Sequence, residues 1–326
     1  MIYNCSKEMM EFLEKKVRLS QKEKDNLKDY RDKNLKRLRD GLKKNDEPEY
    51  YKYINQGSYA MHTINQHPDN DYDIDVGIIF KREDLKGSNG ADKTALDARK
   101  MVCKAMQDNK FKKQPEVLKN CVRVYYEEGH HVDMPVYRIY NNENGKEILE
   151  LAGSEWEESD PEAITRWFKE EKQRKSQLKD IVQLSKKWSK SRDSWNMPSG
   201  LLFTILLSEN YTVHERIDET FYWSLKELRN RLKYDKKVFN PTNCDEITSR
   251  DKHLKKVEFL FDKLEDALDN NLYILEEDDC TYKQAMKAWS KFFKDDFFKD
   301  KISSEKKSLS VESIAIVAPQ KPWILF

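Results

Sequence analysis

Residues 56–80 read QGSYAMHTINQHPDNDYDIDVGIIF. The Gly57-Ser58 pair is followed, after fourteen residues, by Asp73-Ile74-Asp75 at the head of an alternating apolar run. In an extended strand, residues two apart share a face. Asp73 and Asp75 therefore project together, while Ile74, Val76, Ile78 and Phe80 turn toward a core. Two carboxylates this close repel and raise each other's proton affinity unless a cation lies between them. Mg2+ suits the pair, because it prefers oxygen ligands and is held by one or two carboxylates plus substrate phosphates. Gly57 lets the backbone approach a phosphate closely, and Ser58 adds a hydroxyl donor and a candidate helix cap for Tyr59 onward. A third acid, Asp133, lies in HHVDMPV (130–136), a predicted neighbouring strand. Three carboxylates on adjacent strands hold two metals roughly 3.5–4 Å apart, the arrangement used for in-line phosphoryl displacement.

Around this stretch the sequence from about 50 to 150 reads as a small α+β lobe. Strands are predicted at 72–80, 121–129 and 130–140, with Glu127-Glu128-Gly129 as a hairpin connection. Ala95, Ala98, Val102 and Met106 recur at helical intervals between the first two. Lys86–Gly90 is a loop with turn chemistry. Upstream, 7–45 reads as one helix with a narrow stripe of Leu27, Tyr30, Leu35, Leu38 and Leu42, stopped near Asn45 and Pro48. Beyond 160 the chain is mostly helical. Asp160 is a candidate cap with Pro161 in the first turn, and Ile164, Phe168, Leu178, Ile181, Leu184 and Trp188 follow with an interruption near 170–177. Further helices are expected at 198–211, 215–233, 250–270 and 282–298, and the apolar tail (308–326) is expected to dock back onto the body. The predicted domains are an N-terminal scaffold helix region (1–48), a catalytic core (49–160) and a helical C-terminal lobe (161–326).

Composition narrows the function classes. Charged residues make up 37% of the 326 residues, against about 25% in an average globular domain. Yet 60 Lys+Arg nearly balance 59 Asp+Glu, so net charge demands no polyanion-binding surface and gives no strong nucleic-acid signal. Fourteen Phe, sixteen Tyr and seven Trp argue against disorder. The five cysteines are scattered, without CxxC or metal-like spacing, which predicts thiols in a reducing cytoplasm. The N-terminus lacks an apolar signal core, and no window reaches the eighteen apolar residues of a membrane span. His130, His131 and Asp133 offer a rival zinc cluster, but adjacent strand residues point to opposite faces and no fourth ligand is evident. Trp188, Trp195 and Tyr211 read either as base-stacking groups or as core aromatics, with core the commoner role.

The Gly-Ser turn, Asp-x-Asp and distal Asp resemble the active-site signature of the polymerase-β-like nucleotidyltransferase superfamily. The fuller form, QGSY, then a Thr, then DYDIDVGIIF, is similar to the cGAS/DncV-like nucleotidyltransferases, the CD-NTases of antiphage signalling. LSKKW (184–188) followed by MPSGLLFTILL (197–207) resembles that family's helical-lobe pattern, so the likeness covers about 50–211. It implies a bilobal α+β enzyme with a polymerase-β-like nucleotidyltransferase core and a helical C-terminal lobe. It implies that Asp73 and Asp75 bind two Mg2+ ions, with Mn2+ as a substitute, and that Asp133 binds one of them and takes the acceptor hydroxyl's proton. Gln56, Gly57, Ser58, Lys186 and Ser199 would hold the donor triphosphate, with Lys187 as a rival for the lysine role. The stretch between Ser58 and Asp73, with His62, His67 and Pro68, is read as a flap over the site. The implied product is a cyclic di- or oligonucleotide messenger made from nucleoside triphosphates, ATP among them, that acts on a downstream effector. A linear oligonucleotide synthase or terminal RNA nucleotidyltransferase is the nearest alternative. A non-catalytic binding module on the same fold is the alternative from another class, and the presence of all three acids counts against it.

Overall fold

The computed structural model describes residues 1–66, 73–87, 89–127 and 129–303. The helix expected over 7–45 is broken. Helix α1 (Ser6–Phe12) runs into a π turn (Leu13–Val17), and α2 (Gln21–Lys44) then starts afresh. The restart is local chemistry: Ser20 accepts from the Glu23 amide, and the Glu23 carboxylate accepts from the Ser20 amide. This reciprocal box satisfies two amides that a helix start leaves unpaired. Two compact units follow: 16–179 with 240–245, and 1–15 with 180–239 and the described residues from 246 on. Helix α2 packs its leucine stripe into the core of the sheet.

The first unit is built on one mixed sheet. Its elements are β1 (Lys52–Gln56), α3 (Gly57–Met61), β2 (Asp73–Lys81), α4 (Ala95–Ala105), β3 (Glu116–Val117), β4 (Val122–Tyr125), β5 (His131–Met134), β6 (Val136–Asn141), β7 (Glu147–Ala152), β8 (Trp156–Glu158) and α5 (Ala163–Arg174). β2 is antiparallel to β1 and parallel to β5 and then β6, at one constant register. Asp75 pairs with both Gln56 and Asp133, and Ile78 with both Tyr53 and Val136, so β5 and β6 lie on the side of β2 away from β1. Pro135 separates them because it has no amide hydrogen for the ladder, although its carbonyl accepts from Ile78 at 2.8 Å. β4 then pairs with β5, and β7 with β6, both antiparallel. The turn between β4 and β5 is closed by bonds from Tyr126 to His130 and from Gly129 to Tyr126; Glu128 lies outside the described residues, as does Ser88 of the 86–90 loop. β3 and β8, of two and three residues, are too short to show a period.

Strand parity holds through β2. Ile74, Val76, Ile78 and Phe80 are buried in the core with α2, α4, Val122, Val124, Val132 and Met134. On the opposite face Ile79, Tyr137 and Ile139 form a second cluster with Ile54, Leu149 and Leu151, and Asp73 and Asp75 open that same face. Burying an Ile, Val or Phe side chain fully contributes roughly 1.5–3 kcal/mol. A one-residue slip would exchange those side chains for carboxylates, so the core itself holds the acids in place.

The second unit is helical: α6 (Leu178–Ser189), α7 (Gly200–Glu209), α8 (Ile217–Tyr234), α9 (Asp251–Asn270) and α10 (Tyr282–Phe293). α5 starts later than expected, at Ala163, because Asp160 accepts from the Glu162 amide at 3.1 Å in a turn before the helix. It ends at Arg174, within the anticipated interruption. The helix expected over 282–298 stops at Phe293, where Lys294 adopts the left-handed conformation (φ 51°). Phe297 and Phe298 thereby fold back onto Phe12, with ring centroids 5.4 and 4.9 Å away. Trp188 is buried and stacked on Phe292 at 5.0 Å, which makes it a core residue. Among the described residues no helix is long and apolar enough to cross a membrane. The tail from 304 lies outside them.

Candidate active site

The sheet register assembles one line of side chains. Gln56 on β1 stands opposite Asp75 on β2, which stands opposite Asp133 on β5; Asp133 stands opposite Arg123 on β4, and Arg123 opposite Glu116 on β3. Two residues along, Asp73, His131 and Tyr125 form a parallel line. Asp73 Oδ1 lies 3.4 Å from His131 Nδ1. The two aspartates of the Asp-x-Asp pair and the distal Asp133 are therefore brought together.

Asp75 is the electrostatic centre. Burial raises its pKa to about 6, and the Asp133 and Asp73 charges push the same way while Arg123 opposes them. Arg123 grips Asp133 with a two-point fork, Nε to Oδ1 and Nη2 to Oδ2, each 2.7 Å. That hydrogen-bonded carboxylate holds the guanidinium above its ordinary pKa. The Cys121 thiol nearby is pushed up to about 12 by burial and then by Asp133.

Gly57 sits against this centre in a conformation that L side chains rarely adopt, φ +59°. A β-carbon there would lie 2.2 Å from Asp75 Oδ2. Both the backbone conformation and the close approach favour glycine here. Gln56 is buried, and its amide donates to Tyr137 Oη at 2.9 Å. Ser58 does not cap a helix beginning at Tyr59: α3 already starts at Gly57 with Gln56 in the cap position. Ser58 lies within that turn, and its carbonyl accepts from Thr63 at 2.9 Å. His62 ends α3 in the left-handed conformation, φ 56°; the rest of the expected flap, with His67 and Pro68, falls outside the described residues.

Lys186 and Ser199 belong to the helical unit and come together there. Ser199 caps α7 by accepting from the Leu202 amide. A β-carbon on Gly200 would lie 2.9 Å from Lys186 Cε and 3.4 Å from its Nζ. Lys186, rather than Lys187, thus lies along the start of α7. Protein surrounds Lys186 densely although it keeps some solvent access; desolvation, with the charge of Lys190, lowers its pKa to about 8.

The acids are hard oxygen donors, and mutual repulsion around a largely buried Asp75 favours a cation, so Asp73 and Asp75 fit Mg2+. Asp133 fits by type and place, but both its oxygens are engaged by Arg123. Among the described residues no three His, Cys, Asp or Glu side chains stand ready to hold a metal. The zinc grouping does not form: His130 is buried against Tyr30, ring centroids 4.7 Å apart, on the face away from His131. Arg123, Tyr137 and Glu116 were not anticipated. Arg123 was within reach, since positions 123 and 133 lie five residues either side of the centre of the 127–129 turn.

Residues 51–137 match the nucleotidyltransferase domain of the cyclic GMP-AMP synthase DncV-like family. The chain carries a DncV-like nucleotidyltransferase domain. The matched stretch includes Gln56, Gly57, Ser58, Asp73, Asp75, Arg123 and Asp133, and ends before Lys186. Solved structures agree in fold across both units. A doubly substituted Vibrio cholerae dinucleotide cyclase DncV is 18% identical with a TM-score of 0.72, covering 90% of this chain and 96% of that one. A singly substituted form in complex with ATP, GTP and 5MTHFGLU2 gives 18%, 0.68 and the same coverage. Escherichia coli DncV bound to 3'-deoxy GTP gives 19% and 0.65, covering 86% of this chain and 93% of that one.

Proposed function

We propose that this protein is a Mg2+-dependent nucleotidyltransferase that joins nucleoside triphosphates, ATP among them, into a cyclic di- or oligonucleotide and releases pyrophosphate at each bond. The observation that carries this reading is the pairing of Asp75 with Asp133 on adjacent parallel strands, beside a left-handed glycine turn packed against Asp75, inside the DncV-like domain. Vibrio cholerae DncV, a cyclic AMP-GMP synthase of the same fold, has been seen with the linear intermediate pppA(3',5')pG, which supports a stepwise route to the ring.

In this reading Asp73 and Asp75 would hold the ions, with Asp133 as a further ligand. When bound, the ions supply Lewis acidity to the phosphates and lower the pKa of the acceptor 3'-hydroxyl. Asp133 accepts the hydroxyl proton as general base. Gln56, buried against Tyr137, keeps the strand end in place, while the Gly57 backbone and the Ser58 hydroxyl take donor phosphate oxygens. Lys186 supplies a positive charge to the triphosphate, and Ser199 a hydrogen bond. The scattered spacing of the five cysteines supports a reducing cytoplasm. The product is read as a signal to an effector in antiphage defence.

The test is incubation of the purified protein with Mg2+ and all four triphosphates, followed by phosphatase treatment and mass spectrometry. A phosphatase-resistant product that also survives exonuclease, and is lost in Asp75→Asn, is expected. No such product, or equal yield from Asp75→Asn, refutes the reading; a product that exonuclease degrades identifies a linear synthase instead.

A further inference from the structure

The acid line contains its own cation. Arg123 is the direct cross-strand partner of Asp133, and the side chains are 28% and 13% exposed. A fork of two N–H bonds of 2.7 Å is the strong, geometrically specific form of carboxylate recognition. On its other side Arg123 stands opposite a second carboxylate, Glu116. That carboxylate is already held in place: Tyr125 Oη donates to Glu116 Oε2 at 2.5 Å, and Lys113 Nζ lies 3.4 Å from Oε1. One guanidinium thus sits between two acids on neighbouring strands and is engaged with the one in the site.

We propose that Arg123 is a resident counter-cation that occupies Asp133 until a divalent metal displaces it, whereupon the guanidinium turns to Glu116, so that this exchange sets the metal affinity of the site. The inference rests on the acid cluster being a metal site. Three carboxylates grouped without a compensating charge would repel one another, and the fork offsets that repulsion at Asp133. Metal binding must then break two charge-assisted hydrogen bonds at Asp133 and regain part of their strength at Glu116. Arg123 is a positioning residue in this account, acting on the metal through Asp133.

Mn2+ binding to the full-length protein, followed by electron paramagnetic resonance, tests the exchange. Arg123→Gln is expected to bind Mn2+ about tenfold more tightly than wild type, the scale of one charge-assisted hydrogen bond no longer broken. Glu116→Gln, which removes the landing place, is expected to bind more weakly than wild type. A second readout needs no variant: the Arg123 Nε–H resonance should shift when the wild-type protein is saturated with Mg2+. This decides the matter if Arg123→Gln does not fold. If Asp75→Asn loses Mn2+ but Arg123→Gln binds no more tightly than wild type, or the Nε–H resonance is unmoved at saturation, the exchange is wrong and the metal site stands. If wild type and Arg123→Gln both fail to bind Mn2+, the metal site itself is wrong, and the exchange falls with it.

Discussion

Replacing Gly57 with alanine isolates the link between backbone and chemistry. Two costs meet there, and a second glycine separates them. Gly145 has φ +76°, and a β-carbon on it would meet nothing within 4 Å, so Gly145→Ala carries only the left-handed backbone penalty, roughly 1–2 kcal/mol. Gly57→Ala carries that penalty and also sets a methyl 2.2 Å from Asp75 Oδ2. To reach ordinary contact at 3.4 Å, the carboxylate must retreat by about 1.2 Å. The Asp75 carboxylate yields by rotation about its two side-chain torsions, so the added stability loss is about 1 kcal/mol, the low end of overpacking costs. The chemical cost is larger, because a reacting group misplaced by ~1 Å loses about 10²-fold in rate. Urea denaturation should therefore show Gly57→Ala about 2–3 kcal/mol less stable than wild type, with Gly145→Ala about 1 kcal/mol better than that variant. Initial rates of pyrophosphate release should fall about a hundredfold in Gly57→Ala and stay near wild type in Gly145→Ala. Equal activity in the two variants would refute the claim that Gly57 positions Asp75.

Lys186 makes a pH prediction. With its pKa near 8, the charged form that attracts triphosphate is lost as pH rises through about 8, so the affinity for a fluorescent triphosphate analogue should fall over about pH 7–9 (roughly one unit either side of that value) and Lys186→Ala should flatten the profile. The stability sign is opposite: below about 8 the fold holds a desolvated charge, and between that pH and the ordinary lysine value the unfolded chain binds more protons, so this group's contribution to stability rises with pH. Arg99 is buried and donates to the carbonyls of Leu118 and Gly153; Arg99→Met should cost about 2–4 kcal/mol by orphaning both acceptors, read as a lowered urea midpoint. Phe12 meets the rings of Phe293, Phe297 and Phe298, and Phe12→Ala should cost about 3–5 kcal/mol in the same assay.

Much of the site was legible because local periodicity carries it. The period of two in 73–80 separates the acids from Ile74, Val76, Ile78 and Phe80, and the core observes that separation. The Ser20–Glu23 box was also written locally, yet the helical stripe on both sides masks the break at 18–20. The stop at Phe293 was hidden for a different reason: nothing in the residues near Lys294 demands it, and the aromatic cluster with Phe12, almost three hundred positions away, supplies the energy.

The amino-acid sequence by itself determined which carboxylates share a face, since the period of two follows from neighbours a few bonds apart. The tertiary structure decided the partners across strands: Asp133 beside Asp75, Arg123 on Asp133, Glu116 beyond Arg123. Strand pairing joins backbone hydrogen bonds between distant segments, and its register is set by how the whole apolar layer packs. The acids were evident from their spacing, whereas the cation that holds one of them emerged only once the sheet had closed around it.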